Sequence, residues 1–175
     1  MGFTKLRFAL NLSACQLLQS RLTETIVQLS NKLKIPAQQL VLEITETALT
    51  LQEKKATTTL QELHGLGFQI SIDDFGTGYF SLSQLQQMPI RILKIDCEFT
   101  SNIGNNAGDS IVKTIISLAA NFNLEVVAKG METKEQEKLL LNNGCNLAQG
   151  FLYSKPISAT EMTILLQKQN KADKS

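Results

Sequence analysis

The run Ile70-Ser71-Ile72-Asp73-Asp74-Phe75-Gly76-Thr77-Gly78 decides how this sequence is read. An apolar strand pattern ends in two adjacent carboxylates, and a Gly-x-Gly turn follows at once. Two hard oxygen ligands at a strand tip suit a divalent cation such as Mg²⁺. The glycines let backbone approach a phosphate, or let a loop move. The plainer reading of the same residues is turn chemistry. The rest of the chain has to choose between them.

Outward from that run, strand-like and helix-like segments alternate. The expected strands are Leu6 to Leu12, Leu40 to Thr45, Phe68 to Asp73, Ile90 to Asp96, Glu125 to Ala128 and Asn146 to Leu152. Ser13 with Gln16 forms a capping box that opens a helix ending before Pro36. Thr133 with Gln136, and Ser158 with Glu161, repeat that start signal, while Gly65 and Gly144 stand where helices should end. Asp109 is the expected cap of the apolar helix Ser110 to Phe122. One domain over residues 1–169 is expected, with a polar, frayed tail from Asn170 to Ser175.

Six strands, each followed by a helix, predict an α/β fold with a parallel sheet covered by helices. Polar residues separate a barrel from an open doubly wound sheet. Asn11, Glu43, Asp73, Lys94 and Gln149 each stand at or near the C-terminal end of a different strand. Delivery of polar groups from five strands to one face is the habit of a TIM barrel's catalytic rim. A full barrel has eight strands in about 250 residues, so this pattern falls two strands short.

Composition narrows the function classes. The 175 residues hold 43% hydrophobic residues, enough for a buried core. Lys plus Arg (17) nearly balances Asp plus Glu (16), so no electrostatic footprint for nucleic acid or an anionic membrane is present. Cys15, Cys97 and Cys145 lack Cys-x-x-Cys spacing and read as reduced cysteines of a cytoplasmic chain. No apolar run is long enough to span a membrane, and Lys5 and Arg7 interrupt the first apolar stretch. His64, the only histidine, reads as a surface or helix-end residue, which argues against Ser-His-Asp chemistry.

Five segments together resemble the EAL domain, the cyclic di-GMP phosphodiesterase module of bacterial signalling. They are Asn11-Leu12-Ser13, Leu42-Glu43-Ile44-Thr45-Glu46, the run Asp73 to Gly78 with Tyr79, Leu93-Lys94-Ile95-Asp96, and Gln149 to Pro156. Val127-Ala128-Lys129-Gly130-Met131-Glu132 matches with one departure. The resemblance implies a modified TIM barrel that holds two Mg²⁺ or Mn²⁺ ions and hydrolyses cyclic di-GMP to linear pGpG. It implies Asn11, Glu43 and Asp73 as ligands of one metal, with Asp73 and Asp74 facing the second. Lys94 would hold the attacking water or the phosphate, and Glu46 would anchor the Gly76–Gly78 loop. Gln149 and Glu132 would line the site. Each segment alone has a plainer reading: Glu43 and Glu46 as a helix start, Lys94 and Asp96 as a solvated strand end, Asn11 as a turn residue. Phe75, Tyr79 and Phe80 read as loop packing before a guanine platform.

Two departures from the family pattern bear on catalysis. The sequence opens at Phe3, directly before the strand that ends in Asn11, and contains no Glu-Ala-Leu segment. The resemblance therefore implies an incomplete barrel without its first two strands and without one metal-ligating glutamate. Where the family carries the glutamate of its second metal, this chain has Lys129. An ammonium there would neutralise Asp73 and Asp74 and partly replace the second cation. The resulting expectation is a catalytically silent member with impaired Mg or Mn binding. It would act as a cyclic di-GMP receptor, or as a module that binds a protein partner or a second copy of itself. The alternative is an active phosphodiesterase whose site is completed by another chain or a longer product.

Overall fold

The computed structural model describes residues 6–50, 53–78 and 81–172. The expectations placed on Phe3, Lys5, Tyr79 and Phe80 lie outside them. Strands β1 (Phe8–Asn11), β2 (Leu40–Thr45), β3 (Gln69–Phe75), β4 (Ile92–Ile95), β5 (Glu125–Ala128) and β6 (Leu147–Ala148) form one sheet in sequential order. Every pairing is parallel. The connections carry α1 (Ala14–Leu17), α2 (Leu22–Leu33), α3 (Glu46–Thr50), α4 (Glu53–Gly65), α5 (Leu82–Gln87), α6 (Cys97–Ser101), α7 (Asn106–Asn121) and α8 (Lys134–Asn142); α9 (Ala159–Ala172) follows β6. The fold is thus an open, curled half-barrel of six parallel strands.

Period-two alternation inside the strands explains the layers. Leu42, Ile44, Ile70, Ile72, Leu93 and Ile95 are fully buried and join one core with Leu60 and Leu63 of α4 and Val112 and Ala119 of α7. The opposite face of the same strands carries Glu43, Ser71, Asp73 and Lys94, also buried. A parallel sheet buried on both faces reads as nearly continuous apolar sequence, so its few polar residues stand out.

Several expected boundaries move. The Ser13–Gln16 capping box forms, but α1 ends at Leu17 and a separate α2 starts at Leu22. Leu17 and Leu22 are both buried, and five residues in one helix would point about 140° apart. The break lets both face the core. The cap of α7 is Asn105, not Asp109; Asn105 Oδ1 accepts from the Gly108 N–H at 2.7 Å. Asp109 lies in the first helical turn and instead accepts from the Gly104 N–H at 2.9 Å. Gly108 permits this early start, because any Cβ there would overlap the Asn102 backbone. Helix α4 does end at Gly65, and the positive-φ glycine that follows it is Gly67. Strand β6 is only two residues long, and the chain then turns across the rim, with the Met131 N–H donating to the Gln149 carbonyl at 3.1 Å. Helix α9 spans Ala159–Ala172.

Candidate functional site

The rim at the C-terminal ends of the strands begins with a backbone irregularity. The β3–β4 register shifts between Ile72 and Phe75, and Asp74 has φ 55°. A non-glycine residue in the left-handed region is uncommon, although aspartate tolerates it better than most. The shift lets Asp73 and Asp74 present their carboxylates to one cluster instead of to opposite faces. The Asp74 N–H donates to Asp73 Oδ1 at 3.0 Å, which fixes the turn.

Two lysines meet this acidic corner. Lys94 Nζ donates to both carboxylate oxygens of Glu43, at 2.8 and 2.9 Å, and lies 3.8 Å from Asp73 Oδ1. The Lys94 and Glu43 side chains are 7% and 9% exposed, so the pair is shielded from solvent. Lys94 is therefore not the solvated strand end its sequence allowed. Lys129, directly after β5, donates to Asp73 Oδ1 at 2.8 Å and to Asp74 Oδ1 at 2.6 Å. Burial works against its charge, but the hydrogen bonds to Asp73 and Asp74 outweigh it and hold the ammonium above the usual lysine range.

The backbone around Lys129 is tightly held. Its N–H donates to the Ile95 carbonyl at 3.1 Å, and its carbonyl accepts from the Thr100 hydroxyl. Gly130, at φ 71°, packs against Cys97, where a Cβ would clash. The sequence assigned neither Thr100 nor Gln136 a place at the rim. Gln136 Nε2 donates to the Thr100 carbonyl at 3.0 Å while its Oε1 accepts from the N–H groups of Glu132 and Thr133. The Thr133–Gln136 capping box was the only signal pointing there. Asp96, also unassigned, caps α6 through the Glu98 N–H at 2.7 Å. Burial opposes its charge, yet that hydrogen bond and contact with Asp74 hold its carboxyl below the usual range.

Other expected residues stand at varied distances from this corner. Glu46 is 2% exposed and its Oε2 accepts from the N–H groups of Gly76 (3.0 Å) and Gly78 (3.3 Å). That ties α3 to the loop after β3. Asn11 ends β1 in register with Glu43 but is exposed at the sheet edge. Gln149 and Glu132 are exposed beyond β6 and β5, and neither joins the lysine–carboxylate cluster through its side chain.

The profile of the EAL domain matches residues 1–156. The chain belongs to the EAL-domain family. It is 37% identical over 155 residues to the cyclic di-GMP phosphodiesterase PdeR of Escherichia coli, covering 88% of this chain and 23% of PdeR. To the bifunctional diguanylate cyclase/cyclic di-GMP phosphodiesterase MucR of Pseudomonas aeruginosa it is 36% identical over 162 residues, 92% of this chain and 24% of MucR. The chain thus spans about a quarter of the length of the curated relatives it matches. Among solved structures, the MucR phosphodiesterase in complex with cyclic di-GMP superposes with a TM-score of 0.88 at 35% identity, covering 92% of this chain and 66% of that one. The EAL domain of Mycobacterium smegmatis DcpA gives a TM-score of 0.88 at 41% identity, covering 93% of this chain and 73% of the other.

Family structures carrying calcium or manganese with cyclic di-GMP pose the question of metal fit. Among the described residues of this EAL chain, no group of three His, Cys, Asp or Glu side chains is placed to hold a metal ion. The donor chemistry agrees, because Glu43 and Asp73 with Asp74 already engage protein ammonium groups. Among the described residues these carboxylates are engaged by lysines and are not grouped around a place for a divalent cation.

Proposed function

We propose that this EAL chain is a cyclic di-GMP signalling protein that binds the nucleotide at the strand rim and does not hydrolyse it. The observation that carries the reading is the double lysine pairing of the acidic rim. Hydrolysis by two cations needs them to stabilise the attacking and leaving oxygens of the phosphodiester. Here Lys94 and Lys129 offset two of the three carboxylate charges of the rim, which lowers the repulsion of an anionic phosphodiester without activating water. Identity of 35% to a phosphodiesterase solved with cyclic di-GMP supports the choice of nucleotide.

The test is a thermal unfolding curve recorded with and without cyclic di-GMP, with Mg²⁺ present throughout, beside a hydrolysis assay. A ligand that binds the native state raises the midpoint by mass action. The expected result is a cooperative transition that moves upward with nucleotide while no pGpG forms. A midpoint that ignores the nucleotide defeats the receptor reading, and turnover to pGpG defeats the claim of silence.

A second reading has its own observation. Strand β1 is exposed along its length, with Phe8 and Leu10 46% and 47% accessible. An unpaired apolar edge of this kind invites a strand from a protein partner or a second copy. Completion by such a strand is compatible with nucleotide binding.

A further inference from the structure

We infer that the Lys129 ammonium stands in place of a divalent cation and keeps Mn²⁺ or Mg²⁺ out of the Asp73–Asp74 corner. The inference rests on the family reading of the rim but does not require nucleotide binding.

Position supports it first. The nitrogen sits 2.8 Å from Asp73 Oδ1 and 2.6 Å from Asp74 Oδ1, bridging two carboxylates from adjacent residues. These are the separations of charge-assisted hydrogen bonds. A hard cation bridging the same two oxygens would stand about 2.0–2.2 Å from each. Ammonium and metal therefore cannot share the corner.

Charge supports it next. Glu43, Asp73 and Asp74 bring three negative charges, and Lys94 and Lys129 return two positive ones, leaving one net negative charge. Without Lys129 the same groups carry two net negative charges, concentrated on an aspartate pair with its ammonium partner gone. The pair is also presented by a rigid backbone: Asp74 is held at φ 55° and Asp73 accepts the Asp74 N–H. Removing the lysine would not let the carboxylates splay freely.

Access supports it last. The Lys129 side chain is 20% exposed and that of Asp74 37%, so hydrated ions can reach the corner from the rim. Lys94, by contrast, is spent on Glu43 behind it. Exclusion of metal from the Asp73–Asp74 pair is thus assigned to Lys129.

The experiment is equilibrium Mn²⁺ binding, by electron paramagnetic resonance of the free ion, to the wild-type chain, Lys129→Gln and Lys129→Arg. Lys129→Gln should bind one Mn²⁺ about tenfold or more tighter than wild type. Lys129→Arg should behave as wild type, and adding Asp73→Asn to Lys129→Gln should abolish the gain. Wild-type binding as tight as that of Lys129→Gln overturns the inference. Should Lys129→Gln fail to fold, the ¹⁵Nζ resonance of Lys129 in the wild type decides. It should stay unmoved by millimolar-range Mg²⁺, and displacement by Mg²⁺ overturns the inference. None of these readouts involves cyclic di-GMP, so a null nucleotide result leaves this test intact.

Discussion

At the residue scale, the distinguishing fact is that the buried charges of this barrel are matched inside the protein. Glu43 on β2 and Lys94 on β4 meet across the inner face of β3, both nearly shielded from water. Breaking such a pair leaves an uncompensated buried charge, which costs about 3–5 kcal/mol, whereas replacing both partners costs much less. Lys94→Met should therefore lower the unfolding free energy by roughly 3 kcal/mol. Glu43→Gln combined with Lys94→Met should recover part of the loss, as read from urea denaturation. A single-variant loss below about 1 kcal/mol would mean that the pair behaves as an exposed one. Glu43, Asp73 and Lys94 were legible in the sequence for the same reason they are costly. Each is a polar residue that closes or interrupts an apolar strand, a place where only a paired or functional group survives. The charge reversal at Lys129 likewise pointed to the aspartates it contacts. The left-handed Asp74 was not legible, because it arises from a register shift against β4, a partner distant in sequence.

At the element scale, local signals and long-range packing divided the work. The capping boxes at Ser13, Thr133 and Ser158 all form, since their hydrogen bonds involve only residues three apart. What such signals do not fix is how far a helix runs. The split between α1 and α2 comes from burying both Leu17 and Leu22, and the early start of α7 comes from the fit of Gly108 on Asn102. The shortness of β6 has a similar cause, because Gly150 lies directly on the Met131 backbone and the chain turns there. The Thr133 box joins both levels. Gln136 closes the box and, at 7% exposure, also donates to the Thr100 carbonyl, whose own hydroxyl holds Lys129 in place. Thr133→Ala removes one cap and should cost about 1 kcal/mol. Gln136→Ala strips partners from two backbone N–H groups and a buried carbonyl, so it should cost about 2 kcal/mol or more. Chemical denaturation of the two variants side by side checks the order. Equal losses would show that the Thr100 contact adds nothing.

At the scale of the whole molecule, the sheet is curled yet open. Arg7, just before β1, donates to Glu125 of β5, including one bond of 3.0 Å, although three strands separate β1 from β5 in the sheet. That contact shows how far the half-barrel bends, but at 38% and 40% exposure the pair contributes little stability. Curling does not protect the edges. Strand β1 offers Phe8-Ala9-Leu10-Asn11 with no charge, proline or bulge to blunt it. Beyond β6, Phe151 and Tyr153 are 60% and 52% exposed, which leaves apolar surface on the other margin as well. The 175-residue chain should therefore self-associate as its concentration rises, visible as faster-sedimenting species in velocity runs. A lysine on an edge strand opposes such pairing through its charge and solvation. Leu10→Lys should shift the distribution toward monomer while changing the thermal midpoint little, because Leu10 is already 47% exposed. Phe151→Lys serves as the comparison on the opposite margin. If it disperses the assemblies while Leu10→Lys does not, the β6 side carries the contact. A chain that stays monomeric at every concentration would show that the open edge is too short to template another strand.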